Sequence, residues 1–171
     1  MRKMIVVLSF VLVTSLSVSI WAQQRAAQGQ AQPAAAAPLQ GGLVTAAELA
    51  AIAARQSKDR NGNQVFLQLA PYNVTMEHRV NVPQNAAVHE KEAELFYVVE
   101  GTGTMVVGGK LVNPTRNGDN LTGPSSEGGT PNRLAKGDFL LVKEGDAHWF
   151  SKIDSEMTLM TLHLPRTPAA K

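Results

Sequence analysis

The chain has 171 residues, with 16 Lys and Arg against 14 Asp and Glu, four histidines and no cysteine. Its length suits one barrel-sized domain, and the near balance of charge excludes the basic footprint that nucleic-acid binding needs. Without cysteine there are no disulfides and no thiolate metal ligands, so a stable domain has to rest on core burial.

Residues 1–22 are expected to be a secretory signal peptide, which makes the product exported, periplasmic or secreted. Arg2 and Lys3 give the positive start, an apolar run follows, and Ala22 is a small residue at a plausible cut. Ser9, Thr14, Ser15, Ser17 and Ser19 interrupt the run. It therefore falls short of the ~20 apolar residues that span a bilayer, and no stable membrane anchor is expected after cleavage. Loss of Arg2 and Lys3 brings the 16 basic side chains level with the 14 acidic ones, so the basic balance of the precursor belongs to its leader. Residues 23–43, rich in Ala, Gln and Pro, hold too few large apolar groups to order themselves and read as a flexible linker.

Residues 44–58 carry a short helix. Thr45 and Glu48 fit a capping box, and Ala46 to Arg55 has no Gly or Pro. From Gln64 onward the pattern is β. Strands are expected at Val65–Leu69 and Tyr72–Val80, separated by Pro71. Alternation on the second places Tyr72, Val74, Met76, His78 and Val80 on the assumed interior, with Glu77 and Arg79 opposite. A strand at Glu94–Glu100, a turn at Gly101–Gly103 and a returning strand at Thr104–Val107 follow. Asn113–Pro131 reads as a long polar loop. Phe139–Val142, Trp149–Ile153 and Met157–Leu164 complete the strands, and the tail 167–171 frays. Many short strands and almost no helix after residue 58 indicate an all-β antiparallel barrel or jelly roll over residues 59–166.

Two stretches carry chemistry. His89 and Glu94 are an odd number of positions apart, so one unbroken strand would point them to opposite faces. The intervening Glu90, Lys91, Glu92 and Ala93 are poor strand residues and read as a bend, which lets both side chains face the barrel mouth. His148 follows a turn containing Gly145 and also sits at a strand mouth. A buried carboxylate beside imidazole is costly without a cation. Two histidines and one carboxylate suit a single divalent transition metal, whether Fe, Mn, Zn, Ni or Cu. His163 and His78 lie on apolar strand faces, and each is a candidate pocket residue or further ligand. Phe96, Phe139 and Phe150 are expected in the core or pocket wall. Both faces of the Glu94 strand are apolar, so its outer face needs a cover, either the helix or a second subunit.

These residues resemble the two motifs of the cupin superfamily. The first, G-x5-H-x-H-x(3,4)-E-x6-G, is met by His89, Glu94 and Gly101; the second, G-x5-P-x-G-x2-H-x3-N, by Gly137, Gly145 and His148. Ala87 stands at the first histidine position, Asn81 at the leading glycine, Lys143 at the proline and Lys152 at the asparagine. The resemblance implies a double-stranded β-helix, a pocket within the barrel, and frequent homodimers. It implies no one reaction, because the superfamily spans enzymes, sensors and storage proteins. Three functions follow: a metal-dependent enzyme, oxygenase- or isomerase-like, on a small polar molecule; a non-catalytic module for a small ligand; or a barrel whose metal site has degenerated.

Overall fold

The computed structural model describes residues 37–166. The expected leader, nearly all of the Ala/Gln/Pro tract before residue 37 and the tail at 167–171 lie outside the described residues. Among the described residues one helix, α1 (Ala46–Ala54), precedes eleven strands: β1 (Gly62–Leu69), β2 (Tyr72–Arg79), β3 (Ala86–His89), β4 (Glu92–Val107), β5 (Lys110–Leu111), β6 (Thr115–Asn117), β7 (Asn120–Gly123), β8 (Ser126–Glu127), β9 (Thr130–Ala135), β10 (Phe139–Val142) and β11 (His148–Pro165). The helix starts where its capping box predicts. The Thr45 hydroxyl accepts from the Glu48 amide at 3.3 Å, and Glu48 Oε2 accepts from the Thr45 amide at 2.7 Å.

Two long strands organise the molecule as a double-stranded β-helix. The first half of β4 pairs with β10 and with the second half of β11, which in turn pairs with β2 and, through it, β1. The second half of β4 pairs with β9 and with the first half of β11. His148, the first residue of β11, meets β3, and β3 continues the sheet to β7 and β6. β4 and β11 thus cross from one sheet to the other together. Their side chains fill the interior, where Phe96, Val98, Met105, Leu134, Val142, Phe150, Ile153, Met157 and Leu159 form one buried cluster. A second cluster lies outside the barrel, where Ile52 of α1 meets Phe66 and Met76, with Val74 and Met160 beside them.

The structure corrects the strand reading in three places. No turn interrupts Gly101–Gly103, and Trp149–Ile153 is continuous with Met157–Leu164. Both pairs of expected strands are single bent strands, and register shifts between Phe150 and Leu159 absorb the bend. Glycine signalled a break in the chain, but here it permits close approach. A Cβ on Gly101, at φ 89°, would stand 2.0 Å from the Glu156 carbonyl oxygen, and one on Gly103 would stand 2.7 Å from Met157 Sδ. The Asn113–Pro131 segment is not a loop either. It holds β6, β7, β8 and the start of β9, short strands of mostly polar residues that bury too little to show a strand pattern in the sequence.

The third correction concerns β2. Val74 and Met76 pack outward beneath α1, so Glu77 and Arg79 line the interior cavity. The apolar side of this strand is its outer side, because α1 provides a second place to bury apolar groups.

Gly101→Ala should destabilise the domain by about 2 kcal/mol or more, since it combines a left-handed backbone with a backbone clash. Urea unfolding followed by circular dichroism checks this; an unchanged midpoint would show that the strand corner tolerates a side chain.

Candidate metal centre

Three strands bring four side chains to the same end of the barrel. His89 ends β3, Glu94 lies near the start of β4, His148 opens β11, and His163 lies near its end. Register explains the convergence: His163 is directly opposite Glu94, and His148 is directly opposite Ala87, two residues before His89. The bend at Glu90 and Lys91 separates β3 from β4, so His89 and Glu94 do face the same interior.

Glu94 is the centre of the group, 4% exposed. Its Oε2 lies 3.2 Å from His89 Nε2 and 3.0 Å from His148 Nε2, and its Oε1 lies 3.6 Å from His163 Nε2. The other ring nitrogens are tied back. His163 Nδ1 is 2.7 Å from Glu92 Oε1, His89 Nδ1 is 3.0 Å from Asn120 Oδ1, and His148 Nδ1 makes a longer 3.5 Å approach to the Asp146 carbonyl. A neutral imidazole has one proton. Once Nδ1–H donates outward, Nε2 presents a lone pair to the Glu94 carboxylate, which is also an acceptor. That arrangement requires a cation between them.

The donor set fits a divalent metal. Ligands bound at about 2.1 Å stand roughly 3.0 Å apart at adjacent octahedral corners and roughly 3.4 Å apart in a tetrahedron, and the Glu94 oxygens stand 3.0, 3.2 and 3.6 Å from the three rings. The ligand atoms of His89, Glu94 and His163 all lie within 4.8 Å of one another, and this His-His-Glu group can hold a metal. Outward hydrogen bonds from ligating imidazoles are the usual way a metal site fixes ring orientation.

Protons take the same role when no metal is bound. Burial opposes the charge on Glu94, yet hydrogen bonds from His148 and His89 hold it down at about 2. Burial likewise opposes a charged His89, but its bonds to Glu94 and Asn120 raise it above 6.5. Because Glu94 is depressed, its contribution to stability is present above the ordinary carboxylate range and lost as pH falls toward about 2. Because His89 is raised, its contribution is present below 6.5 and lost as pH rises through the raised value.

The group opens into a cavity of about 220 Å³ that Phe96, Met105, Phe150 and Trp149 wall, with Glu77 and Arg79 also on its lining. Two expected pocket residues lie elsewhere. His78 is buried on the outer side of β2 with Met76, because the parity of that strand is inverted, and its Nε2 has no partner among the described residues. Phe139 is 66% exposed on the outer face of β10, its ring 4.6 Å from that of Tyr97, because α1 covers β1 and β2 and leaves this edge bare. Phe96 and Phe150 do line the cavity. Sequence reading missed Asn120 and Glu92, which orient His89 and His163.

The fold and the site define a double-stranded β-helix with a histidine and carboxylate cluster at its mouth. No family model matches the chain, and no curated protein matches it in sequence. Solved structures share the fold. The BH2720 protein of Bacillus halodurans superposes with a TM-score of 0.51 at 13% identity, covering 77% of this chain and 88% of its own. A cupin superfamily protein from Desulfitobacterium hafniense gives 0.46 at 9% identity, over 65% of this chain and 83% of its own. KdgF from a Halomonas species gives 0.47 at 14% identity, over 66% and 86%.

Zinc affinity measured by competition with a chelator should fall as pH drops through the raised His89 value, because protons then occupy the ligand nitrogens. Asn120→Ala should weaken zinc about 10-fold or more by freeing the His89 ring. A flat pH profile together with an unaffected Asn120→Ala variant would remove both ligand and support from the site.

Proposed function

We propose that this chain is an exported, single-domain cupin that binds one divalent transition metal through His89, Glu94 and His148, with His163 filling the position that Ala87 leaves vacant. The observation that carries the reading is the set of imidazole Nε2 atoms turned onto one buried carboxylate while their Nδ1 atoms are hydrogen-bonded outward. The protein would act as a metal-dependent enzyme on a small polar molecule. A divalent ion in this site supplies Lewis acidity or a place for oxygen to bind. The chain's own residues do the remaining work. With a metal bound, His89, His148 and His163 would present their inward nitrogens to it while Nδ1 holds each ring from outside. Phe96, Met105 and Phe150 exclude water from the inner wall. Glu77 is a buried carboxylate on the cavity lining outside the ligand group, with one oxygen held by Arg79.

Export rests on the leader-like residues 1–22. A homodimer is supported by the outer face of β10, where Phe139 is 66% and Leu141 53% exposed, a pairing of large apolar groups that a second copy would cover.

Elemental analysis of the purified mature protein should find one transition metal per chain, and light scattering on the same sample should give twice the chain mass. Glu94→Ala should lose the metal. Turnover of candidate substrates, compared under air and argon, then separates oxygen-dependent chemistry from isomerase-like chemistry. Stoichiometric metal with no turnover in either atmosphere would leave a binding module; no metal after reconstitution would refute the proposal.

A further inference from the structure

Glu77 and Arg79 lie two apart on β2 and therefore share its inner face. Both line the same cavity as His89, Glu94, His148 and His163. The Glu77 side chain is 9% exposed and that of Arg79 is 28% exposed. Arg79 donates from Nε at 3.1 Å and from Nη2 at 2.5 Å, both to the same oxygen, Oε2 of Glu77. That uses one edge of the guanidinium. Its Nη1 has no hydrogen-bond partner among the described residues.

A purely structural ion pair is a poor explanation of this arrangement. A sheltered pair is usually no more stable than two packed apolar groups in its place. The outer side of this strand is built that way, with Val74 and Met76 beneath α1. The charged pair occurs only where the strand faces the cavity.

We propose that Arg79, positioned by Glu77, anchors the carboxylate of a small organic acid beside the metal. This rests on the metal reading given above. Glu77 and Arg79 offset each other, and Glu92 lies behind the His163 ring rather than on the lining, so among the groups that face the cavity a divalent ion outweighs the single charge of Glu94. That favours an anion over a neutral sugar or amide. The planar fork of a guanidinium matches a carboxylate better than a lysine would. The cavity, about 220 Å³, falls below the ~300–1,000 Å³ typical of drug-sized ligands, which restricts the acid to a short chain. Its carbon part would lie against Phe96, Met105 and Phe150.

Malonate and its neutral counterpart malonamide test the assignment by calorimetric titration of zinc-loaded and metal-free protein. Wild type should bind malonate at least tenfold more tightly than malonamide. Arg79→Met should retain its zinc yet weaken malonate at least tenfold, and Arg79→Lys should recover part of the loss. Since Arg79→Met leaves the Glu77 carboxylate sheltered without its cation, the Glu77→Gln/Arg79→Met double variant is measured alongside and should show the same loss. Malonate binding that is equal with and without Arg79, malonamide bound as tightly as malonate, or no malonate binding by wild type would each overturn the anchor. If zinc is not taken up but malonate still requires Arg79, the metal reading fails and the anchor stands.

Discussion

A carboxylate buried among acceptors has to be offset by positive charge, and the mouth of this barrel is built around that requirement. Glu94 is 4% exposed and faces the Nε2 atoms of three histidines. Removing such a group from water costs several kcal/mol unless a cation accompanies it. Protons can supply the charge, which is why Glu94 is held down at about 2 and His89 is raised. A divalent metal supplies it in one step, and the outward hydrogen bonds at Asn120 and Glu92 hold the rings in place for either cation.

The fold delivers these side chains through its two long strands. β4 and β11 run side by side across both sheets, so their ends meet at the same mouth. His148 and His163 come from opposite ends of one strand, a spacing that only a bent strand closes. The bend depends on Gly101 and Gly103, where the Glu156 backbone and Met157 approach too closely for a side chain. Ser155 compensates for the disrupted ladder at this corner by accepting from the Thr102 amide at 3.0 Å. Packing at one end of the molecule therefore fixes ligand geometry at the other.

Much of the barrel was legible in the sequence because strand-forming residues alternate with turn residues from Gln64 onward. His89 and Glu94 were legible because a run of poor strand residues separates them, and His148 because a glycine turn precedes it. What stayed hidden followed from two physical ambiguities. Glycine in a β pattern marks either a turn or a close approach, and Gly101 and Gly103 were the second kind. An apolar strand face can be buried inside a barrel or under a helix, and on β2 it was under α1. That single inversion moved His78 outward and concealed Glu77 and Arg79. Phe139 was misplaced for a related reason, since apolar character alone does not separate core from a bare outer edge. Asn120 left no pattern beyond its position opposite His89, which depended on recognising β7 as a strand.

X-ray absorption on the zinc-loaded mature protein tests the central claim most directly. A first shell of imidazole nitrogens with one carboxylate oxygen at about 2.0–2.2 Å is the predicted result, and it should lose imidazole scattering in His163→Ala. A shell dominated by water, or one that His163→Ala and Glu94→Ala leave unchanged, would contradict the account, because the ion would then be bound somewhere other than at the buried carboxylate.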